Sequence, residues 1–119
     1  MRDQGSVTVE LALLVPLILL LAAMVIEAAV VARTQIELVA AAREGVRVAA
    51  TTPDPAVALE AVKRVLGSRG DEARVNVHRP HVVGAEARVS ISLPFRVDLP
   101  LLGGPTIPLS ASAAMRVEQ

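Results

Sequence analysis

No cysteine, tryptophan or tyrosine occurs among the 119 residues, and the single aromatic side chain is Phe95. Disulfides, thiol catalysis, zinc ribbons and a lipid-modified cysteine are thereby excluded. With no aromatic platforms and a formal net charge of zero, the chain also lacks the basic, stacking surface that nucleic acids require, so no nucleic-acid partner is expected. Lys63 is the lone lysine against eleven arginines, a compositional trait that carries no function. Metal and nucleophile chemistry are as thinly supplied. The only histidines, His78 and His81, stand in a His-Arg-Pro-His run whose spacing does not suit a metal and which has no clustered acids nearby. Ser90, Ser92, Ser110 and Ser112 fall on polar strand positions and form no catalytic set. Leu102-Gly103-Gly104-Pro105 lacks the Lys-Ser/Thr and following helix of a phosphate loop and reads as a turn. No catalytic residue, cofactor site or metal site is expected, and the chain does not read as an enzyme.

What is present is an apolar run. Leu11 to Ile26 carries no charge, and continuing through Ala28 to Ala32 gives about 22 residues, or roughly 33 Å of helix, against a hydrocarbon core of about 30 Å. A membrane is the expected partner of this segment. Two carboxylates and a proline mark it. Glu10 stands at the entry, where a charge costs up to about 3 kcal/mol at the bilayer centre and less near an interface, so it implies a partner or a function; the alternative is a helix-start acid favoured by the helix dipole. Glu27 near the exit suits either snorkelling to the interface or a contact between subunits. Pro16 withdraws one backbone hydrogen bond from Ala12 and is expected to bend the helix unless packing satisfies the freed carbonyl.

Gly5-Ser6-Val7-Thr8-Val9-Glu10 ahead of that run resembles the type IV prepilin class, whose leader ends in Gly and whose fifth mature residue is Glu. The resemblance implies cleavage after Gly5 by a prepilin peptidase, a new ammonium on Ser6, and Glu10 about one turn inside the membrane, where it can meet a neighbouring subunit's ammonium. It also implies an N-terminus inside and a C-terminus outside. Flanking charge alone does not fix that orientation, because Arg2 is offset by Asp3 while Arg33, Arg43 and Arg47 follow the span. The rival is a secretory signal peptide cut near Ala29 or Ala32. Against it stand the length of the run, Glu10 at its start, and a helical pattern that continues past both cuts.

Arg33 to Thr51 keeps helix-forming composition, with Arg33/Glu37 and Glu44/Arg47 at pairing distances. Within it, Ala41-Ala42-Arg43-Glu44-Gly45-Val46-Arg47-Val48-Ala49-Ala50 is similar to the Ala-Ala-Arg-Glu-Gly-Ala-Arg-aromatic-Ala-Ala stretch of the TadE-like family. Val9-Glu10, Pro16, Ile26-Glu27 and the closing Leu109-Ser110-Ala111 to Met115-Arg116-Val117-Glu118 match that family's pattern as well, while Ala28 and Val48 stand where its members often carry aromatics. This resemblance implies a pseudopilin or minor pilin of a Tad (tight-adherence, Flp-type) pilus system. Its implied partners are a prepilin peptidase, other pilins or pseudopilins, and an assembly platform with its ATPase. Glu10, Pro16 and Glu27 are the implied assembly residues, and Arg43, Glu44, Gly45 and Arg47 the stem motif. A membrane-anchored or secreted binding module unrelated to pili is the alternative.

The remainder reads as a small α+β module. Pro53-Asp54-Pro55 breaks the stem; Asp54 caps a short helix that Gly67 ends, with Ala58, Ala61, Val62, Val65 and Leu66 as its apolar stripe. Val75/Val77, then Ala87, Val89, Ile91 and Leu93, then Ile107 to Val117 alternate with polar residues at period two, which predicts a three-stranded antiparallel sheet, with Pro108 confining the start of the third run to an edge or loop. The expected divisions are a leader at 1–5, a transmembrane and stem helix at 6–52, and an extracytoplasmic module at 53–119.

Overall fold

The computed structural model describes the backbone of residues 2–118 and the side chains of residues 5–118. One helix, α1 (Arg2–Thr51), accounts for most of the 82 Å length of the molecule. It is followed by α2 (Pro55–Leu66), a 3₁₀ turn (Gly67–Arg69), and strands β1 (Arg74–His78), β2 (Glu86–Arg96) and β3 (Thr106–Arg116). The strands form an antiparallel sheet in the order β1-β2-β3. The α+β class and three-stranded sheet expected from the alternation are therefore present. Helix α1 runs from Arg2 through the expected 5/6 division, since a lone Gly5 costs only about 1 kcal/mol in a helix. Of the expected leader, Met1 and the side chains preceding Gly5 lie outside the described residues.

The two halves of α1 live in different surroundings. From Gly5 to Ile26 its large apolar side chains face outward, Leu13 and Val25 at 71% and 70% exposure. From Thr34 onward a face of small and branched residues is covered: Leu38, Ala41, Ala42, Val46 and Ala49 are buried. They pack against Ala58, Val62 and Leu66 of α2 and against Ala87, Val89, Ile91 and Leu93 of β2, so the second half of α1 is the centre of the module's core. Apolar side chains removed from water there contribute roughly 1.5–3 kcal/mol each for the larger ones. Gly45 lies where α1, α2 and the sheet come closest. A Cβ on it would overlap Val62 Cγ2 and sit 3.3 Å from Val89 Cγ1.

Both caps of α2 form as expected: Asp54 Oδ1 accepts from Ala56 N at 2.9 Å, and Gly67 ends the helix at φ 58°. Its buried stripe is narrower than the composition suggests, because Val65 is 43% exposed while Ala58, Ala61, Val62 and Leu66 are buried.

The C-terminal carbonyls of α1, which no helical turn follows, are taken up by the module. Arg79 Nε donates to Ala49 O at 2.7 Å, Glu118 N donates to Ala50 O at 3.0 Å, and Thr52 N donates to Val48 O at 2.8 Å. The last turn of α1 has no basic residue of its own, so Arg79 supplies the cation that the negative end of the helix favours.

Strand β2 runs further than the alternation indicated, through Pro94 to Arg96, with Pro94 opposite Pro108. Val97 N donating to Pro105 O and Val117 N donating to Ala85 O place the odd-numbered residues of β2 in the hydrogen-bonded pairs with β3. Pro94 and Pro108 therefore meet at a non-hydrogen-bonded pair, with neither nitrogen facing the shared ladder. β1 pairs no further along β2 than Ser92, and β3 is an edge strand, so neither proline removes a bond.

Gly45→Ala gains helix propensity of about 1 kcal/mol, but overpacking against two core valines costs about 1–3 kcal/mol, so thermal unfolding of the detergent-solubilised protein is expected at lower temperature. Adding Val62→Ala should recover part of the loss, making the double variant more stable than the two single effects predict when added.

Candidate functional site

Three groups of residues singled out in the sequence fall at three heights along α1. Gly5, Ser6 and Glu10 are exposed near its start, and no hydrogen bond or ion pair joins Glu10 to another described residue. Glu10 and Glu27 lie about 26 Å apart along the axis at 1.5 Å per residue, so the fold does not bring the two carboxylates together. Pro16 sits within α1, which continues as helix on either side of it.

Glu27 has a partner inside the chain. Its Oε1 accepts from the backbone N–H of Asp98 at 3.1 Å, fastening the turn between β2 and β3 to the side of α1. That turn descends along the apolar half of the helix. Val97 and Leu99 face Met24, Glu27, Ala28 and Val31 across one cleft, and Pro100 and Leu101 face Pro16, Leu19 and Leu20 across another of about 240 Å³. The turn is held by Leu102 N and Gly103 N both donating to Leu99 O, at 3.3 and 2.9 Å, and Gly104 has no room for a Cβ beside Val97 O. Leu101 adopts φ 68°, a left-handed conformation rarely taken by a branched apolar residue.

The stem motif is divided between packing and surface. Gly45 is the close-approach point described above. Arg47 forks onto Glu44 through Nε to Oε2 at 2.9 Å and Nη2 to Oε1 at 2.7 Å. Arg43 is exposed; with Glu44 and Arg47 it lines one wall of an open groove of about 720 Å³ whose other wall is Ser112–Met115 of β3. The hydrogen bond from Arg47, with its positive charge, holds the Glu44 carboxyl below the usual carboxylate range, and Glu44 in turn raises Arg47.

Sequence reasoning passed over three polar ties. Thr34 is buried; its hydroxyl donates to Val30 O at 2.9 Å and accepts from Arg69 Nη1 at 2.9 Å. Arg69 also reaches Glu37 at 3.3 Å, which in turn pairs with Arg33 at 3.2 Å, so the end of α2 is pinned to the stem. Gln35 Nε2 donates to Ser110 O at 2.7 Å and ties the stem to β3. Each tie spans more than thirty positions in sequence, and no periodicity announces it.

An uncovered apolar helix, long enough to cross a membrane, continues without interruption into a small α+β head. Residues 5–47 match the family model described as TadE-like protein. The matched stretch covers the exposed half of α1 and most of its buried half, including the 43–47 motif. Among curated proteins and among solved structures, nothing matches the chain at a significant level.

Two outcomes check this geometry. Glu27→Ala should speed hydrogen exchange at the Asp98 amide about fivefold, in line with a net hydrogen-bond contribution of about 1 kcal/mol, while Glu27→Gln, which keeps an acceptor, should change it less. A carboxyl whose folded value is depressed adds stability that is complete above its unfolded value and is lost as pH falls through the folded one. The unfolding temperature of the parent should therefore exceed that of Glu44→Gln at neutral pH, and the difference should vanish on acidification below the ordinary glutamate range.

Proposed function

We propose that this protein is a non-enzymatic pseudopilin or minor pilin of a Tad (tight-adherence, Flp-type) pilus system. In this reading it is a single-pass protein of the cytoplasmic membrane, N-terminus inside and module outside. A prepilin peptidase removes residues 1–5, and a membrane platform driven by its ATPase draws the mature chain into association with sister pilins. The observation that carries the reading is the bare first half of α1. A window of it has a mean hydropathy of 2.8 with none of it buried by the rest of the chain, so lipid or other helices must cover it.

The mechanism follows from exchange of surroundings. In the bilayer the exposed leucines and valines of α1 are solvated by acyl chains; in an assembly they pack against equivalent helices, with no net loss of apolar contact. Glu10 is the single charge between Gly5 and Ile26. A carboxylate in hydrocarbon is costly, and the ammonium of a processed Ser6 on a neighbouring subunit neutralises it only when the two chains stand at one axial offset. Glu10 thus sets register. Glu27 differs from Glu10 in having a partner within the chain, since its Oε1 accepts from the Asp98 amide. The secreted alternative loses ground for the same reason: a cut near Ala29 would discard the residue to which the β2–β3 turn is fastened.

In cells, Glu10→Ala should leave the protein in the membrane at normal abundance while sharply reducing its incorporation into pili, read by immunoblot of sheared filaments. Normal incorporation of Glu10→Ala would refute the register role.

A further inference from the structure

We infer that the turn between β2 and β3, with Leu99, Pro100, Leu101 and Leu102 at its tip, is a membrane wedge that enters the leaflet on the module's side and lies among its phospholipid acyl chains beside α1. The inference rests on the reading that α1 spans the bilayer, and four observations support it.

The first is position. The tip faces Pro16, Leu19 and Leu20, which belong to the apolar run, and Leu19 lies about 12 Å along the axis from Glu27. Half of a hydrocarbon core is about 15 Å. With the Glu27–Asp98 tie at the interface, the tip is inside one leaflet. The second is composition. From Leu99 to Pro105 there is no charged or hydrogen-bonding side chain, and Leu101 and Leu102 are, respectively, fully and 71% exposed, an arrangement that costs free energy in water. The third is a reduced number of free backbone donors: Pro100 and Pro105 have no N–H, and the amides of Leu102 and Gly103 are both spent on Leu99 O, which lowers the cost of placing the tip in hydrocarbon. The fourth is the left-handed backbone of Leu101, where a glycine would otherwise be favoured and a fully exposed leucine stands instead.

This placement moves the span. A bilayer reaching from Leu11 to Ala32 would carry the tip past its midplane. Anchoring Glu27 at the interface places the hydrocarbon at about residues 7–26, still about 30 Å of helix, and leaves Glu10 one turn inside the opposite face.

The absence of native cysteine makes the test direct. Leu101→Cys, Leu13→Cys and Val82→Cys, each carrying a bimane fluorophore, are compared in full-length protein in phosphatidylethanolamine/phosphatidylglycerol vesicles with and without brominated acyl chains. The expected result is bromine quenching at Leu101 comparable to that at Leu13, with none at Val82. Quenching at Leu13 with a water-like, unquenched probe at Leu101 would overturn the wedge and leave the span intact. A blue-shifted but unquenched Leu101 probe would place the tip against protein, such as a second copy of this chain, and would also overturn it. Absence of quenching at Leu13 would mean that α1 does not span, and both readings would fall.

Discussion

The continuity of α1 is the constraint on which everything else depends. The same helix that is bare and apolar from Gly5 to Ile26 becomes, from Thr34 to Ala50, the central element of the module's core. Neither half is autonomous. A head with 67 residues beyond the stem could not enclose a core from one short helix and a three-stranded sheet, and it borrows Leu38, Ala41, Ala42, Val46 and Ala49 to do so. The module is consequently continuous with the bare half of α1, without a linker between them.

Small residues make this sharing possible. Ala41, Ala42, Gly45 and Ala49 let α2 and the sheet approach the helix axis closely, while the side chains that would ordinarily fill a core come from the other elements: Val62, Val89, Ile91 and Leu93. Polar ties finish the attachment where apolar packing ends. Arg69 on Thr34, Gln35 on Ser110 O, and Arg79 on Ala49 O act at the bottom, flank and top of the packed zone. Glu27 extends it downward, so the β2–β3 turn lies along the part of α1 that the module does not bury.

Much of this was legible in the chain. Period-two alternation in Ala87 to Leu93 and in Ile107 to Ala113 specified the strands and their inward faces, although Met115 on the same parity is exposed, and Asp54-Pro55 with Gly67 delimited α2, because these signals are local and each residue's neighbours in sequence are its neighbours in the element. The extent of β2 was less so: Pro94 reads as a stop, and only its position beyond the last β1 pair, with its nitrogen turned off the β3 ladder, shows why it is tolerated. Of the residues assigned to function, Gly45 proved to be a packing point and Glu44 and Arg47 a surface fork, neither of which the motif alone distinguishes. The partner of Glu27 was beyond reach, since nothing in Ile26-Glu27 indicates a backbone amide at Asp98, and Leu102-Gly103-Gly104-Pro105 announced a turn without its location. Tertiary contacts of this kind depend on register and crossing geometry rather than on composition.

A helix that the chain itself leaves uncovered, with one carboxylate near its entry and a head continuous with it, suits a subunit stored in a membrane and transferred into a helical assembly. The central claim is that processing after Gly5 prepares it for that transfer. The most direct measurement is the intact mass of the membrane-extracted protein produced with and without its cognate prepilin peptidase. Loss of Met1 to Gly5 only when the peptidase is present is the predicted result; an unshortened chain in both cases, or a cut near Ala29 or Ala32, would contradict it.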